Sequence, residues 1–154
     1  MEFNAADIFE GVVDRIPDRE AVILGATRLT YKELDVRANK AANALKNLGI
    51  KKGSHIGIYA FNCIEWLEVM LGAYKLCAIP ININYRYVEE ELKYLIENAD
   101  MEAVFFHQQF SNKLNNIKND LPLLKSFISI DDGTNKISSI QNSLDFESLI
   151  ENES

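Results

Sequence analysis

The sequence predicts an α/β fold, a mainly parallel sheet with helices on both faces, and three observations carry the prediction. Short apolar runs recur at strand length, helical patterns of about 10 to 15 residues stand between them, and glycines or prolines fall at the joints. Strands that alternate with helices in this way are joined by right-handed crossovers, which cover both faces of a parallel sheet.

Ile8, Phe9, Val12, Val13 and Ile16 mark a first helix. Residues 21–24 and 28–29 read as a small hairpin turning at Gly25. In Leu29-Thr30-Tyr31-Lys32-Glu33-Leu34, Thr30 can cap the amide of Glu33 while the Glu33 carboxylate returns to the amide of Thr30. Leu29 and Leu34 occupy the staple positions around that cap, and Ala38, Ala41, Ala42, Leu45 and Leu48 continue one apolar face. Gly49 ends this helix, with Lys46 complementing the negative end of its dipole.

Residues 55–60 form a buried strand. Asn62 and Glu65, as cap and N3 partner, open a helix carrying Leu67, Met70, Leu71 and Tyr74. A short strand over 78–83 contains Pro80; Val88, Leu92, Leu95 and Ile96 then mark a helix whose outer face carries Glu89, Glu90, Glu91 and Lys93. A strand at 103–106, a helix over 111–120 and a strand at 127–130 follow, before Asp131-Asp132-Gly133 breaks the pattern. Residues 1–132 are therefore expected to be one α/β subdomain. Residues 133–154 are expected to be a weakly specified tail or linker, or a short docked helix, with only Leu144, Phe146, Leu149 and Ile150 to bury.

Composition narrows function. With 16 Lys plus Arg against 23 Asp plus Glu the net charge is -7, and the densest cationic stretch is the pair Lys51-Lys52, so a nucleic-acid partner is not expected. The most apolar stretch, 69–83, is interrupted by Lys75, Pro80 and Asn82, so no membrane span is expected. Asp7 and Glu2 make the N-terminus acidic, unlike a secretory signal, and a cytoplasmic location is expected. Cys63 and Cys77 cannot build a disulfide framework or a zinc motif and read as reduced core thiols.

Chemistry is sparse. The seven glycines are never closer than four positions, so neither a dinucleotide fingerprint nor a Walker loop can be written. His55 and His107 lack ligand-spaced neighbours and read as surface or strand-end residues. Glu89, Glu90 and Glu91 point in different directions from one helix and form no paired-carboxylate site. Neither Ser54 nor Ser111 sits in a nucleophile elbow. No catalytic and no metal-ligating residue is assigned.

The segment Leu29-Thr30-Tyr31-Lys32-Glu33-Leu34 resembles the first core motif of the AMP-forming adenylating enzymes, which include the acyl-CoA synthetases. Gly72-Ala73-Tyr74-Lys75-Leu76-Cys77-Ala78-Ile79-Pro80-Ile81-Asn82-Ile83-Asn84 resembles their second motif. The continuation from Tyr85 to Leu95 is similar to bacterial acyl-CoA synthetases acting on fatty acids or steroid side-chain carboxylates. The resemblance covers about residues 8–132.

It implies the N-terminal subdomain of the adenylate-forming fold, incomplete. It also implies an ATP-dependent acid–CoA ligase that makes an acyl-adenylate and passes the acyl group to CoA, with ATP, Mg2+ and CoA serving the full-length enzyme. The phosphate loop and the mobile C-terminal lobe would follow Ser154. The chain alone, a fragment or a truncated reading frame, is expected to be inactive and to bind none of these groups fully. Its expected partners are the carboxylic acid and CoA, through the full enzyme, and the remainder of the synthetase. Thr30, Glu33, Leu34 and Pro80 are read as structural.

Arg86 is the one ligand-binding residue the resemblance implies. In related ligases an Arg after the Asn-x segment contacts a phosphate of the CoA nucleotide, and Asn84-Tyr85-Arg86 matches that pattern. The competing reading is a surface Arg paired with Glu89 or Glu90. Two other functions remain open: a truncated non-catalytic relative acting as a binding or assembly module, and a flavodoxin-like nucleotide module, which the missing glycine loop opposes.

Overall fold

Five strands lie side by side in a computed structural model that describes residues 4–134, 138–151 and 153. In chain order the elements are α1 (Ala5–Val13), β1 (Glu20–Leu24), β2 (Thr27–Thr30), α2 (Tyr31–Asn47), β3 (His55–Tyr59), α3 (Ile64–Lys75), β4 (Ile79–Asn82), α4 (Glu89–Asn98), β5 (Met101–His107), α5 (Ser111–Ile117), β6 (Ser126–Ile130), β7 (Leu144–Asp145) and α6 (Phe146–Glu151). The main sheet runs β4-β3-β5-β6-β7 with every pair parallel. β1 and β2 form a separate antiparallel hairpin.

Alternation along the central strands assigns each face. Ile56, Ile58, Ala103 and Phe105 point toward α2, α3 and α6, meeting Ala41, Leu45, Val69, Ala73, Phe146 and Ile150. Tyr59, Val104 and Phe106 point the other way, meeting Leu92 and Ile96 of α4 and Leu114 and Ile117 of α5. The fold is therefore the parallel α/β layer arrangement that the sequence predicts.

The helix α2 begins where the sequence places it. The Glu33 amide donates to Thr30 Oγ1 at 3.2 Å, and the Thr30 amide donates to Glu33 Oε2 at 2.8 Å. It ends in a Schellman motif: Gly49 has φ +87°, its amide reaches Lys46 O, and the Ile50 amide reaches Leu45 O. Small residues let α2 and α3 approach closely, because a Cβ on Gly72 would stand 3.0 Å from both Ala41 Cβ and the Ala42 amide nitrogen.

Three local expectations are corrected. α3 starts at Ile64 behind Cys63, which makes no side-chain cap, so the Asn62–Glu65 cap does not form. α1 buries only Ala6, leaves Ile8 exposed and stops before Ile16; its start is fixed instead by an Asn4–Asp7 capping box. Cys77 is exposed at φ +55°, where it follows the end of α3, and only Cys63 is partly buried, with burial pushing its thiol up to about 12.

Beyond Gly133, Leu144 and Asp145 add to the sheet beside Ile128 and Ser129. Phe146 and Ile150 of α6 are 1% and 2% exposed, and the Phe146 ring meets Phe105 edge-on at 5.9 Å. Of the forms the sequence leaves open for this stretch, residues 146–151 adopt the docked helix. No helix among the described residues is long and apolar enough to cross a membrane.

Candidate functional site

The chain leaves β3 for β4 on one side and returns through α4 to β5 on the other, so the crossover direction reverses between β3 and β5. In open parallel sheets the carboxyl ends of two such strands diverge into a crevice that receives ligands. Here those ends are Tyr59 and His107, and the loops beyond them carry an aromatic cluster.

Phe61 is its centre. The Phe61 ring lies 4.6 Å from Tyr85, 5.3 Å from Phe110 and 5.7 Å from His107, while Tyr59 packs on Phe110 at 4.6 Å. Phe61 and Tyr85 stay more than a third exposed, whereas Tyr59 and His107 are buried. The Phe61 amide donates to His107 Nδ1 at 3.1 Å. Burial drives the His107 pKa down, against the pull of Asp132, Glu65 and Asp131, which favours the neutral ring.

The loop after β4 is fixed from below. The Tyr59 hydroxyl donates to Tyr87 O at 3.2 Å, and Lys113 Nζ donates to the same carbonyl at 2.7 Å. Burial, then Glu89, pushes the Tyr59 phenol up to about 12. On the other side of the crevice, Asp132 accepts from the Gln109 amide at 2.8 Å and from its side chain at 3.0 Å. Burial works against the Asp132 charge, but hydrogen bonds from Thr134 and Gln109 outweigh it and hold the carboxyl below its ordinary range.

Arg86 stands on this loop, exposed. Its amide donates to Asn84 Oδ1 at 3.0 Å, and its guanidinium lies 5.7 Å from the centre of the Tyr85 ring. Among the described residues no ion pair joins it to Glu89 or Glu90. Glu89 receives Asn116 instead, at 3.3 Å, and Glu91 caps the Val88 amide at 3.0 Å. The exposed, planar cation fits a phosphate, since its fork can bond two oxygens while supplying charge.

The remaining motif residues fall elsewhere. Lys75 pairs with Glu10 and, at 2.8 Å, with Asp35, joining α3 to α1 and α2. Pro80 sits in β4 opposite Ile56. His55 is at the amino end of β3, where Nδ1 meets Ala99 O at 2.5 Å, so the two histidines lie at opposite ends of the sheet. The glycines form no phosphate cradle: Gly11, Gly57 and Gly72 lie inside α1, β3 and α3, and Gly25, Gly49, Gly53 and Gly133 stand singly in turns with no glycine-rich loop around them, so these residues do not fit the ATP triphosphate. Among the described residues no group of three or more His, Cys, Asp or Glu could hold a metal ion.

His107, Phe61 and Phe110 were not singled out as a site by sequence reasoning. The available signal was aromatic density immediately after two predicted strands.

Solved structures that share this fold include CoA ligases. An anthranilate CoA ligase in complex with anthranoyl-AMP superposes with a TM-score of 0.90 at 26% identity, over 98% of this chain and 28% of that one. A Mycobacterium tuberculosis fatty acyl CoA synthetase matches in fold with a TM-score of 0.85 at 19% identity, over 98% of this chain and 28% of that one. The AMP-binding enzyme family matches residues 9–151, and the chain belongs to that family. A 3-oxocholest-4-en-26-oate–CoA ligase from Rhodococcus rhodochrous is 37% identical over 97% of this chain and 27% of its own length. A medium/long-chain-fatty-acid–CoA/3-oxocholest-4-en-26-oate–CoA ligase from Mycobacterium marinum is 42% identical over 88% of this chain and 25% of its own. The chain thus spans about a quarter of the length of these curated relatives.

Proposed function

We propose that this chain is the N-terminal part of a cytoplasmic, ATP-dependent acyl-CoA ligase. The enzyme adenylates a fatty or steroid-derived carboxylic acid and transfers the acyl group to CoA. The single observation that carries the reading is the family match across residues 9–151 together with relatives that are CoA ligases for such acids. ATP and Mg2+ belong to the remainder of the synthetase, and the 154-residue chain alone is inactive. What this segment contributes is a rigid crevice wall and Arg86, which takes a phosphate of the CoA nucleotide. An apolar groove of about 340 Å³ between the β1–β2 hairpin and α3, lined by Val22, Ile23, Leu24, Trp66 and Leu67, supports docking of the remainder against this face.

Kinetics of Arg86→Ala in the ligase that contains this segment test the assignment. The KM for CoA rises, while pyrophosphate exchange, which reports adenylate formation, is retained. Unchanged CoA kinetics would defeat the role of Arg86.

A further inference from the structure

Arg86 is held by no ion pair among the described residues; its guanidinium rests on the Tyr85 ring. Tyr85 packs on Phe61 at 4.6 Å, and both rings are more than a third exposed, so neither is fixed by burial. The fixed point is one residue further in. The Phe61 amide donates to Nδ1 of His107, which is 4% exposed and stacked on Phe110 at 6.4 Å.

We propose that His107 is a positioning residue for the CoA-phosphate contact of Arg86, acting through the Phe61 amide and the Phe61 and Tyr85 rings. The inference rests on the CoA reading of Arg86. Its chemical requirement is specific: Nδ1 must present a lone pair, with the proton on Nε2. A proton on Nδ1 would set two donors against each other and release the loop between β3 and α3. The charged groups that act on the ring are Glu65 of α3 and Asp131 and Asp132 beyond β6, all favouring that proton, while burial opposes it.

The test uses the ligase that contains this segment, with His107→Ala, His107→Asn and Arg86→Ala. An Asn Oδ1 can stand where Nδ1 stands and accept from the Phe61 amide, but it does not titrate. Loss of one hydrogen bond predicts that His107→Ala raises the KM for CoA about fivefold while pyrophosphate exchange keeps its rate. His107→Asn restores the wild-type KM at pH 8 and lacks the acid-side rise in that KM which the wild type shows beyond the titration of CoA itself. Phe61–Tyr85 ring contacts, read by nuclear Overhauser effects, persist in His107→Asn and are lost in His107→Ala.

If His107→Ala does not fold, His107→Asn still decides: a pH profile identical to wild type overturns the inference. A rise in CoA KM for Arg86→Ala with no change for His107→Ala overturns the inference and spares the reading of Arg86. No change for Arg86→Ala overturns that reading, and the His107 role in CoA binding with it; retained ring contacts in His107→Ala overturn the positioning by themselves.

Discussion

Arg37 of α2 and Glu68 of α3 form a two-pronged ion pair in which the carboxylate is wholly buried and the guanidinium reaches on to Glu147 of α6. Glu68 Oε2 receives Arg37 Nη2 at 2.9 Å, and Nε serves the other oxygen. Burial raises the Glu68 pKa against the pull of Arg37. The pair is therefore a junction of three helices whose charged member has no other route to solvation.

Removing one partner is the costly change. Arg37→Ala leaves the Glu68 carboxylate buried without its cation and is expected to cost about 3 kcal/mol in urea unfolding. The double variant Arg37→Met with Glu68→Leu recovers most of that loss, because the desolvation penalty disappears together with the attraction. A double variant no more stable than Arg37→Ala would contradict this account.

Two glycines should respond differently to alanine. At Gly72 the new Cβ meets Ala41 Cβ, the Ala42 backbone and Ala38 O at 3.0–3.1 Å, which can yield only if the helices separate. At Gly57 it meets the ends of Ile83 and Met101 at 2.8 Å, which can turn aside. Gly72→Ala is expected to cost about 2 kcal/mol, and Gly57→Ala less, by thermal or urea melting.

Phe146 tests whether residues 144–151 share the cooperative unit. It fills the space between Phe105 and α2, so Phe146→Ala should cost about 3 kcal/mol of global stability and steepen no separate transition. A loss confined to a local, low-stability opening in hydrogen exchange would show that the segment is peripheral.

His107 makes acid stability measurable. Its folded pKa lies below 6.5, so below that pH the unfolded chain binds a proton that the folded chain refuses. Stability contributed by the neutral ring is present above 6.5 and is lost as pH falls from 6.5 toward the folded pKa. The melting temperature of wild type should accordingly drop over this window more than that of His107→Asn; parallel curves would refute it.

What was legible in the sequence was local. The Thr30–Glu33 box and the Gly49 terminus need only residues within one turn, and the strands needed only apolar runs. The start of α3 was misplaced because Cys63 holds the N-cap position with no side-chain bond, so packing decides that end. The apolar stripe of α1 misled because the helix lies on the outside of the layer, with Ile8 in solvent. The crevice was illegible for a different reason: Phe61 and Tyr85 come from two separate loops and His107 from the end of β5, and they come together only after the crossover reverses. Arg86 was reached through motif resemblance, and its resting place on Tyr85 could not be read from spacing.

The edge strand β4 has a further consequence. Ile79 and Ile83 donate inward to Ser54 and Ile58, so the alternate position, Pro80, turns its nitrogen outward. On that outer side a neighbouring strand would have to pair with β4, and the ring nitrogen has no hydrogen to give. Pro80 thereby interrupts the row of outward donors along the outer flank of β4, and a strand edge broken in this way is a poor template for edge-to-edge pairing.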